Sequence, residues 1–158
     1  NLPTYSFKIK EENNKIYIFD EIRRRYVRLT PEEWVRQHII QFLIKEKNYP
    51  LSLFLIEKQY KNNRLSHRCD FVIYSREGHS LMLVECKAPS VEINQHVFDQ
   101  ISRYNQQYKA PYLLITNGNK HFCCKFDMKK GRFEFLHDIP VYNALSSISH
   151  EKPSDSML

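Results

Sequence analysis

The stretch LMLVECKAP, residues 81–89, joins an apolar run to charged residues and decides the fold. The four apolar residues are followed by Glu85, Cys86 and Lys87, and a proline ends the segment. Side chains alternate between the two faces of a strand, so Glu85 and Lys87 project from one face and Cys86 from the other. The pattern predicts a strand over Leu81–Lys87 that carries an acid and a base to one end of a sheet.

A second acid, Asp70, precedes Glu85 by 15 positions and lies in another predicted strand, Arg68–Tyr74. If the turn at residues 76–79 joins these strands as a hairpin, Asp70 comes close to Glu85. Carboxylates are hard oxygen ligands for Mg²⁺, and a fixed ammonium such as that of Lys87 stabilises charge that develops on a phosphate. The set therefore favours phosphodiester hydrolysis, and the ordinary alternative is a salt bridge at a solvent-facing strand edge.

The rest of the chain predicts strands and helices in mixed order. Thr30-Pro31-Glu32-Glu33 combines a capping threonine, a proline at the first helical position and a glutamate three residues after the cap, which is typical of a helix start. The predicted helices are Pro31–Lys47 and Asn94–Tyr108. The other predicted strands are a hairpin of Tyr5–Ile9 and Lys15–Phe19 around Asn13-Asn14, then Glu21–Leu29, Leu53–Lys61, Tyr112–Thr116, Phe122–Phe126 and Arg132–Phe135. This order indicates an α/β layer with a parallel crossover through the second helix.

The second helix follows the strand of Glu85 directly and carries Gln100 and Tyr104 on one face, because they are four residues apart. A glutamine amide placed over the pocket can bind a phosphate oxygen or orient a water, and the tyrosine can stack or donate a hydrogen bond. The alternative is an apolar helix stripe with a solvated glutamine, since Val97 and Ile101 belong to the same stripe.

Composition limits the class of protein. The chain has 158 residues, a formal net charge of +6 and 42% hydrophobic residues, which predicts one domain with a core and an anionic partner such as nucleic acid. No apolar run approaches the length of a membrane span. The four cysteines lack C-x-x-C spacing, so we expect free thiols in a cytoplasmic protein rather than a zinc site with His67 or His121.

Taken together, these segments resemble the PD-(D/E)xK nuclease superfamily with the Q-x-x-x-Y extension of its exonuclease-like branch. More narrowly, the chain resembles the N-terminal nuclease domain of type I restriction enzyme R subunits. The residues that carry the resemblance are 30–37 (TPEEWVRQ), 68–70 (RCD), 83–89 (LVECKAP), 100–105 (QISRYN) and 116–118 (TNG).

The resemblance implies a restriction-endonuclease-like mixed β-sheet flanked by helices, to which the predicted hairpin adds an N-terminal β extension. It implies Asp70 and Glu85 as metal ligands, Lys87 as the catalytic lysine, and Gln100 and Tyr104 as accessory residues of the site. Mg²⁺ is the implied cofactor, and Mn²⁺ is expected to substitute for it.

The resemblance also has departures. Cys69 stands where relatives usually have proline before the aspartate. Many relatives carry an acid on the first helix that faces the metal. Arg36 occupies that position here, so Glu32 or Glu33, one turn earlier, would have to serve, or neither does.

Further residues are candidates for supporting roles. Glu57 and Glu33 are predicted accessory acids, and a surface salt bridge is an equal alternative for Glu57. The predicted DNA contacts are Arg64, Arg68, Arg36 and Arg103. The triplet at residues 23–25 is another candidate for phosphate contacts, although a solvated strand explains such a triplet as well.

We therefore predict a metal-dependent DNA nuclease, with residues 1–145 as one domain, an N-terminal β extension at 1–29, a nuclease core at 30–126 and a flexible polar tail at 146–158. A catalytically silent nucleic-acid-binding module, suggested by Arg36, is the first alternative. An interaction domain that uses its 10 Tyr and 10 Phe is the second.

The expected partners are DNA, a second copy of the chain, and motor or specificity subunits. Neither a membrane nor ATP is expected as a partner. ATP is excluded because the chain has no G-x-x-x-x-G-K-[ST] motif. We expect a stand-alone nuclease module or a fragment.

Overall fold

The computed structural model describes residues 2–56 and 70–145. The helices are α1 (Pro31–Lys47) and α2 (Gln95–Tyr108), and a short 3-10 turn covers Leu51–Leu53. The strands are β1 (Ile9–Glu12), β2 (Lys15–Asp20), β3 (Arg25–Arg28), β4 (Phe54–Ile56), β5 (Phe71–Tyr74), β6 (Ser80–Cys86), β7 (Tyr112–Thr116), β8 (His121–Asp127) and β9 (Arg132–Phe135).

The main sheet has six strands in the order β4-β5-β6-β7-β8-β9. All neighbours are antiparallel except β6 and β7, which are parallel and are joined through α2. The mixed sheet and the parallel crossover that the sequence predicts are therefore confirmed. The C-terminal end of β6, where Glu85 stands, lies beside the C-terminal end of β7.

Helix α1 begins at the predicted residue, Pro31, and α2 begins at Gln95, one residue after the predicted start. The Thr30 hydroxyl accepts a hydrogen bond from the Glu33 backbone N–H at 3.0 Å, and Pro31 follows as the first helical residue. The Asn94 side chain accepts from the backbone N–H groups of His96 and Val97 at the start of α2. These caps satisfy N–H groups that have no partner within the helix.

The main sheet is covered by apolar packing on both faces. The α1 face holds the larger cluster, which includes Val35, Ile39, Phe71, Val84 and Cys86. The α2 face holds a smaller cluster that includes Val72, Leu83, Val97, Ile101 and Ile115. Along β6, Val84 packs in the α1-face cluster and Leu83 in the α2-face cluster. Because strand side chains alternate, Glu85 projects from the same face as Leu83, and Cys86 from the same face as Val84.

The N-terminal region is a three-stranded antiparallel sheet in the order β1-β2-β3. The predicted two-residue turn is confirmed, since Asn13 and Asn14 both have positive φ, as a tight hairpin turn requires. The predicted first strand, Tyr5–Ile9, is wrong, because β1 begins at Ile9. The rings of Tyr5 and Phe7 instead contact His38 of α1, with centroid distances of 6.2 and 4.8 Å.

Other boundaries also differ from the prediction. The chain turns after Asp20, and Arg24 adopts a positive φ there, so β3 is only four residues long. Of the predicted strand Leu53–Lys61, β4 covers Phe54–Ile56, and Leu53 belongs to the preceding 3-10 turn. Residues 57–61 lie outside the described residues, as does the predicted tail at 146–158. Within the described ranges, neither helix is long and apolar enough to cross a membrane.

Candidate functional site

Asp70 and Glu85 meet at one end of the main sheet. Phe71 pairs with Val84, and the Asp70 backbone N–H donates to the Val84 carbonyl at 3.0 Å, which extends the ladder by one residue. Asp70 therefore lies opposite Glu85, as the predicted hairpin requires. Glu85 is buried, with 6% of its surface exposed. The neighbouring strand β7 closes the same end, since the Lys87 N–H donates to the Thr116 carbonyl at 2.9 Å.

Both carboxylate oxygens of Asp70 accept hydrogen bonds from charged or backbone donors. The Cys86 backbone N–H donates to Oδ2 at 2.5 Å. The Arg36 guanidinium on α1 donates through Nη2 to Oδ1, also at 2.5 Å. Asp70 thus has a fixed orientation, and its charge is balanced by a cation of 14% side-chain exposure.

Glu85 has a less balanced environment. Lys87 Nζ lies 3.2 Å from Glu85 Oε2, whereas the buried Oε1 has no hydrogen-bond partner among the described residues. Burial and the adjacent Asp70 charge raise the pKa of Glu85 to about 8, against the opposing effect of Lys87. A buried carboxylate with an unused oxygen and a second carboxylate beside it is short of positive charge.

A chain of ion pairs leads from the site into the N-terminal sheet. Arg36 also binds Glu33 through Nη1. Glu33 accepts from Gln37 Nε2 at 2.7 Å and lies 3.2 Å from Arg23 Nη2. Arg23 continues the chain through Nε to Oδ2 of the fully buried Asp20 at 2.5 Å.

Asp20 and Gln37 have no role in the predicted site. Strand alternation offers one sequence signal for Asp20, because it lies two residues after Ile18 and so on the same face of β2. In the structure both residues are fully buried. Arg23 belongs to the triplet that the sequence assigns to phosphate contacts or to a solvated strand. Its partners are instead two carboxylates of the protein.

The two candidate acids at the start of α1 have different surroundings. Glu33 reaches Asp70 only through Arg36. Glu32 is half-buried, and burial together with the nearby Asp70 charge raises its pKa, while Arg36 and Lys87 oppose that rise. Glu32 is therefore the first-helix acid that interacts electrostatically with the site itself, and its accessory role is a better hypothesis than that of Glu33.

The residues predicted on α2 are less directly connected to the site. Gln100 is half-buried, and among the described contacts it makes no hydrogen bond to Asp70, Glu85 or Lys87. Tyr104 packs against the apolar cluster on the α2 face, and Arg103 is exposed. Glu57, Arg64 and Arg68 lie outside the described residues. The roles assigned to all these residues stay predictions.

The turn between β7 and β8 fixes α1 beside the site. Gly118 has a φ of +91°, and a Cβ added there would come within 3.3 Å of Val35 Cγ2 on α1. The Asn117 side chain accepts from the N–H groups of Asn119 and Lys120 and donates to the Val91 carbonyl at 2.8 Å. The turn thereby connects α1, β7 and the segment after β6.

Among the described residues, Asp70 and Glu85 are the two acids that meet at the sheet end. Across residues 2–56 and 70–145, no group of three or more His, Cys, Asp or Glu side chains is close enough together to hold a metal ion. Cys86, Cys123 and Cys124 are free, buried thiols, and burial raises the pKa of both Cys123 and Cys124 to about 12. They therefore behave as apolar packing groups at neutral pH.

Comparison with known proteins places the chain in a family. The family model of the type I restriction enzyme R protein N terminus matches residues 31–140, well over half of the chain. The chain belongs to this family. The matched range begins with α1 and contains Asp70, Glu85 and Lys87.

One solved structure supports the fold. It is a fragment of a candidate HsdR subunit of a type I restriction enzyme from Vibrio vulnificus YJ016, with 18% identity and a TM-score of 0.51. The alignment covers 81% of this chain and 27% of that one, so this chain matches about a quarter of the fragment. The comparison with curated proteins gives no match.

Proposed function

We propose that this chain is a DNA nuclease domain that hydrolyses phosphodiester bonds with a divalent cation at Asp70 and Glu85. The observation that carries the proposal is the meeting of these carboxylates and Lys87 at one sheet end, in a chain of the type I restriction R protein N-terminal family. Association with DNA and with other restriction-modification subunits follows from the same family and is part of the proposal.

The residues present fit a divalent cation. Glu85 Oε1 is buried without a partner among the described residues, and Asp70 supplies a second hard oxygen ligand beside it. Each carboxylate oxygen has two acceptor sites, so the bond from Arg36 leaves Asp70 Oδ1 able to accept a second partner. Arg36 is shared between Glu33 and Asp70, and Lys87 pairs with Glu85. With Glu32 nearby, these four carboxylates outnumber the two cations, which leaves a formal negative charge at the site.

Mg²⁺ bound by Asp70 and Glu85 would supply Lewis acidity toward a phosphate oxygen and acidify a bound water. The protein groups orient the reactants. Lys87 Nζ is fixed by Glu85 Oε2 and carries donors for a phosphate oxygen or for the attacking water. The Cys86 N–H and Arg36 hold the Asp70 carboxylate in one orientation, so that it needs no rearrangement when substrate binds.

The test is cleavage of supercoiled plasmid with Mg²⁺ or Mn²⁺ by the wild type, Lys87→Ala and Asp70→Asn. We expect nicking or linearisation by the wild type and a loss of about 100-fold or more in both variants, the magnitude typical of removing a group that stabilises the transition state. Lys109→Ala is the matched control, because Lys109 is exposed and ends α2 away from the site.

The alternative function is a DNA-binding module without turnover. The ion pair between Arg36 and Asp70 favours it, since a guanidinium already balances one of the two carboxylates. Plasmid left intact by all three proteins in both metals, with wild-type protein still retarding DNA in a gel, would establish this alternative and reject the nuclease.

A further inference from the structure

The N-terminal sheet has one face toward α1 and one face away from it. Along β2, Ile18 and Asp20 are buried, and Asp20 reaches Glu33 of α1 through Arg23. The alternate residues point to the opposite side. Since cross-strand partners share a face, the pairing defines an outer face of eight residues. They are Lys8, Lys10, Glu12, Lys15, Tyr17, Phe19, Tyr26 and Arg28.

The outer face is basic. It carries four cations and one carboxylate, and the carboxylate, Glu12, pairs with Lys10 at 3.5 Å. Lys8, Lys15 and Arg28 are exposed and form no ion pair with another described residue. The opposite face carries Glu11, Asp20 and Arg25, and Arg23 in the adjacent turn pairs with Asp20 and Glu33. The excess positive charge of the sheet therefore lies on the outer face.

Aromatic rings support the lysines on this face. Phe19 and Tyr26 pack edge to face, with ring centroids 5.2 Å apart. Lys10 Nζ lies 4.5 Å from the Tyr26 centroid, and Lys8 Nζ lies 5.4 Å from that of Phe19. The ammonium groups of Lys8 and Lys10 lie over the rings of Phe19 and Tyr26, which disfavours stacking of bases on these two rings.

The opposite face of this sheet is linked to the candidate site. Arg23, in the turn between β2 and β3, begins three ion pairs that lead through Glu33 and Arg36 to Asp70. The turn between β2 and β3 also exposes Arg24. The outer face spans three strands, about 10 Å from the first to the third, which is the scale of a DNA groove.

We propose that the outer face binds the phosphate backbone of duplex DNA. This inference rests on the proposed nuclease, which makes DNA the substrate. Duplex is favoured over single strands because lysines, and not open ring faces, form the surface, whereas single-strand binding relies on stacking.

The test measures duplex affinity by fluorescence anisotropy in EDTA over a range of salt concentrations. The outer-face variant is Lys8→Gln with Lys15→Gln and Arg28→Gln. The control variant is Lys109→Gln with Lys129→Gln and Lys130→Gln, which removes the same charge from exposed positions distant from the site. Thermal unfolding checks that both are folded, and the single variant Arg28→Gln provides a milder change.

We expect the slope of log Kd against log salt to fall by about 2 to 3 in the outer-face variant, by about 1 in Arg28→Gln, and to stay unchanged in the control. Equal losses in both triple variants would overturn the proposal, because net charge alone would then explain binding. A single-stranded oligonucleotide that depends on the outer face as strongly as the duplex does would overturn it too.

This result and the result for the proposed function are separable. Plasmid cleavage that depends on Lys87, with an unchanged salt slope in the outer-face variant, would reject the DNA surface and keep the nuclease. A reduced slope without metal-dependent cleavage by the wild type would support the surface and reject the nuclease.

Discussion

The two helices beside the main sheet contribute to the site in different ways. Helix α1 brings a charged cluster to Asp70, through Arg36 and Glu33, and it places Glu32 nearby. Helix α2 packs an apolar stripe on the opposite face, and its Gln100 makes no described hydrogen bond to the acids. The sequence motif singles out α2, whereas the contacts concentrate on α1.

The difference separates two kinds of support for a site. Groups on α1 compensate buried charge whether or not substrate is bound, so their loss should lower stability. Gln100 is expected to act only when a phosphate arrives, so its loss should lower the cleavage rate and leave stability unchanged. If variants on α1 and α2 both change stability, or both change the cleavage rate, this distinction between the two helices is wrong.

The largest effect is expected for Arg36→Met, which keeps the length of the side chain and removes its charge. Asp70 and Glu33 would each lose a partner in a buried setting, and breaking such a pair typically costs about 3 kcal/mol or more. Urea unfolding in EDTA measures the loss. Arg103→Met is the control on the exposed side of α2, where we expect a change within about 0.5 kcal/mol.

Equal stabilities of the two arginine variants would show that α1 is no more coupled to the site than α2 is. Arg36→Lys tests whether a positive charge alone is enough to stabilise the cluster. It keeps the charge but loses the fork that binds Asp70 and Glu33 at once, so its stability should fall between the wild type and Arg36→Met.

The second effect concerns how closely α1 packs at the site. Gly118 and Gly78 have nearly the same φ, +91° and +93°, but only at Gly118 would an added Cβ meet α1, at 3.3 Å from Val35. Alanine costs about 1 kcal/mol at either position for the left-handed backbone. We expect Gly118→Ala to lose a further ~1 kcal/mol by overpacking, measured as the difference between the two variants in thermal unfolding. No difference would mean that Val35 moves aside freely.

Local signals in the sequence predicted the elements well. Thr30 and Pro31 gave the start of α1, the predicted start of α2 at Asn94 was within one residue, and the alternation around Glu85 gave the face of each charged residue. The strand pairing that brings Asp70 to Glu85 followed from a short hairpin. These features depend on residues that are near one another in sequence.

The ion-pair chain could not be predicted in the same way. Arg23 and Glu33 are ten positions apart, and Arg36 and Asp70 are thirty-four apart. Their pairing depends on how the N-terminal sheet and α1 pack, which no local pattern specifies. The other two links, Asp20–Arg23 and Glu33–Arg36, each join residues three positions apart, so only they were open to a local pattern.

The third effect tests α2. Gln100→Ala should reduce the single-turnover cleavage rate about tenfold, which corresponds to roughly one lost hydrogen bond in the transition state. We expect the free energy of unfolding to change by less than about 0.5 kcal/mol, since the side chain is half-buried. Gln106→Ala, on the exposed side of the same helix, is the control. A large loss of stability in Gln100→Ala with an unchanged rate would assign the residue to packing.

The smallest expected effect is a pH dependence of stability that comes from His121 on β8, beside the end of β7. Burial lowers the pKa of His121. The Thr116 hydroxyl accepts from the Gly118 N–H and lies 2.7 Å from His121 Nδ1, which fits a neutral ring accepting the hydroxyl proton. The unfolded state then binds a proton more readily than the folded state, so the contribution of His121 is complete above the unfolded pKa, near 6.5, and is lost as pH falls through the lowered folded pKa. Urea unfolding of the wild type and His121→Asn at pH 8 and pH 5 measures it. The wild type should lose more stability than the variant, and identical losses would place the acid sensitivity of this end of the sheet in other groups.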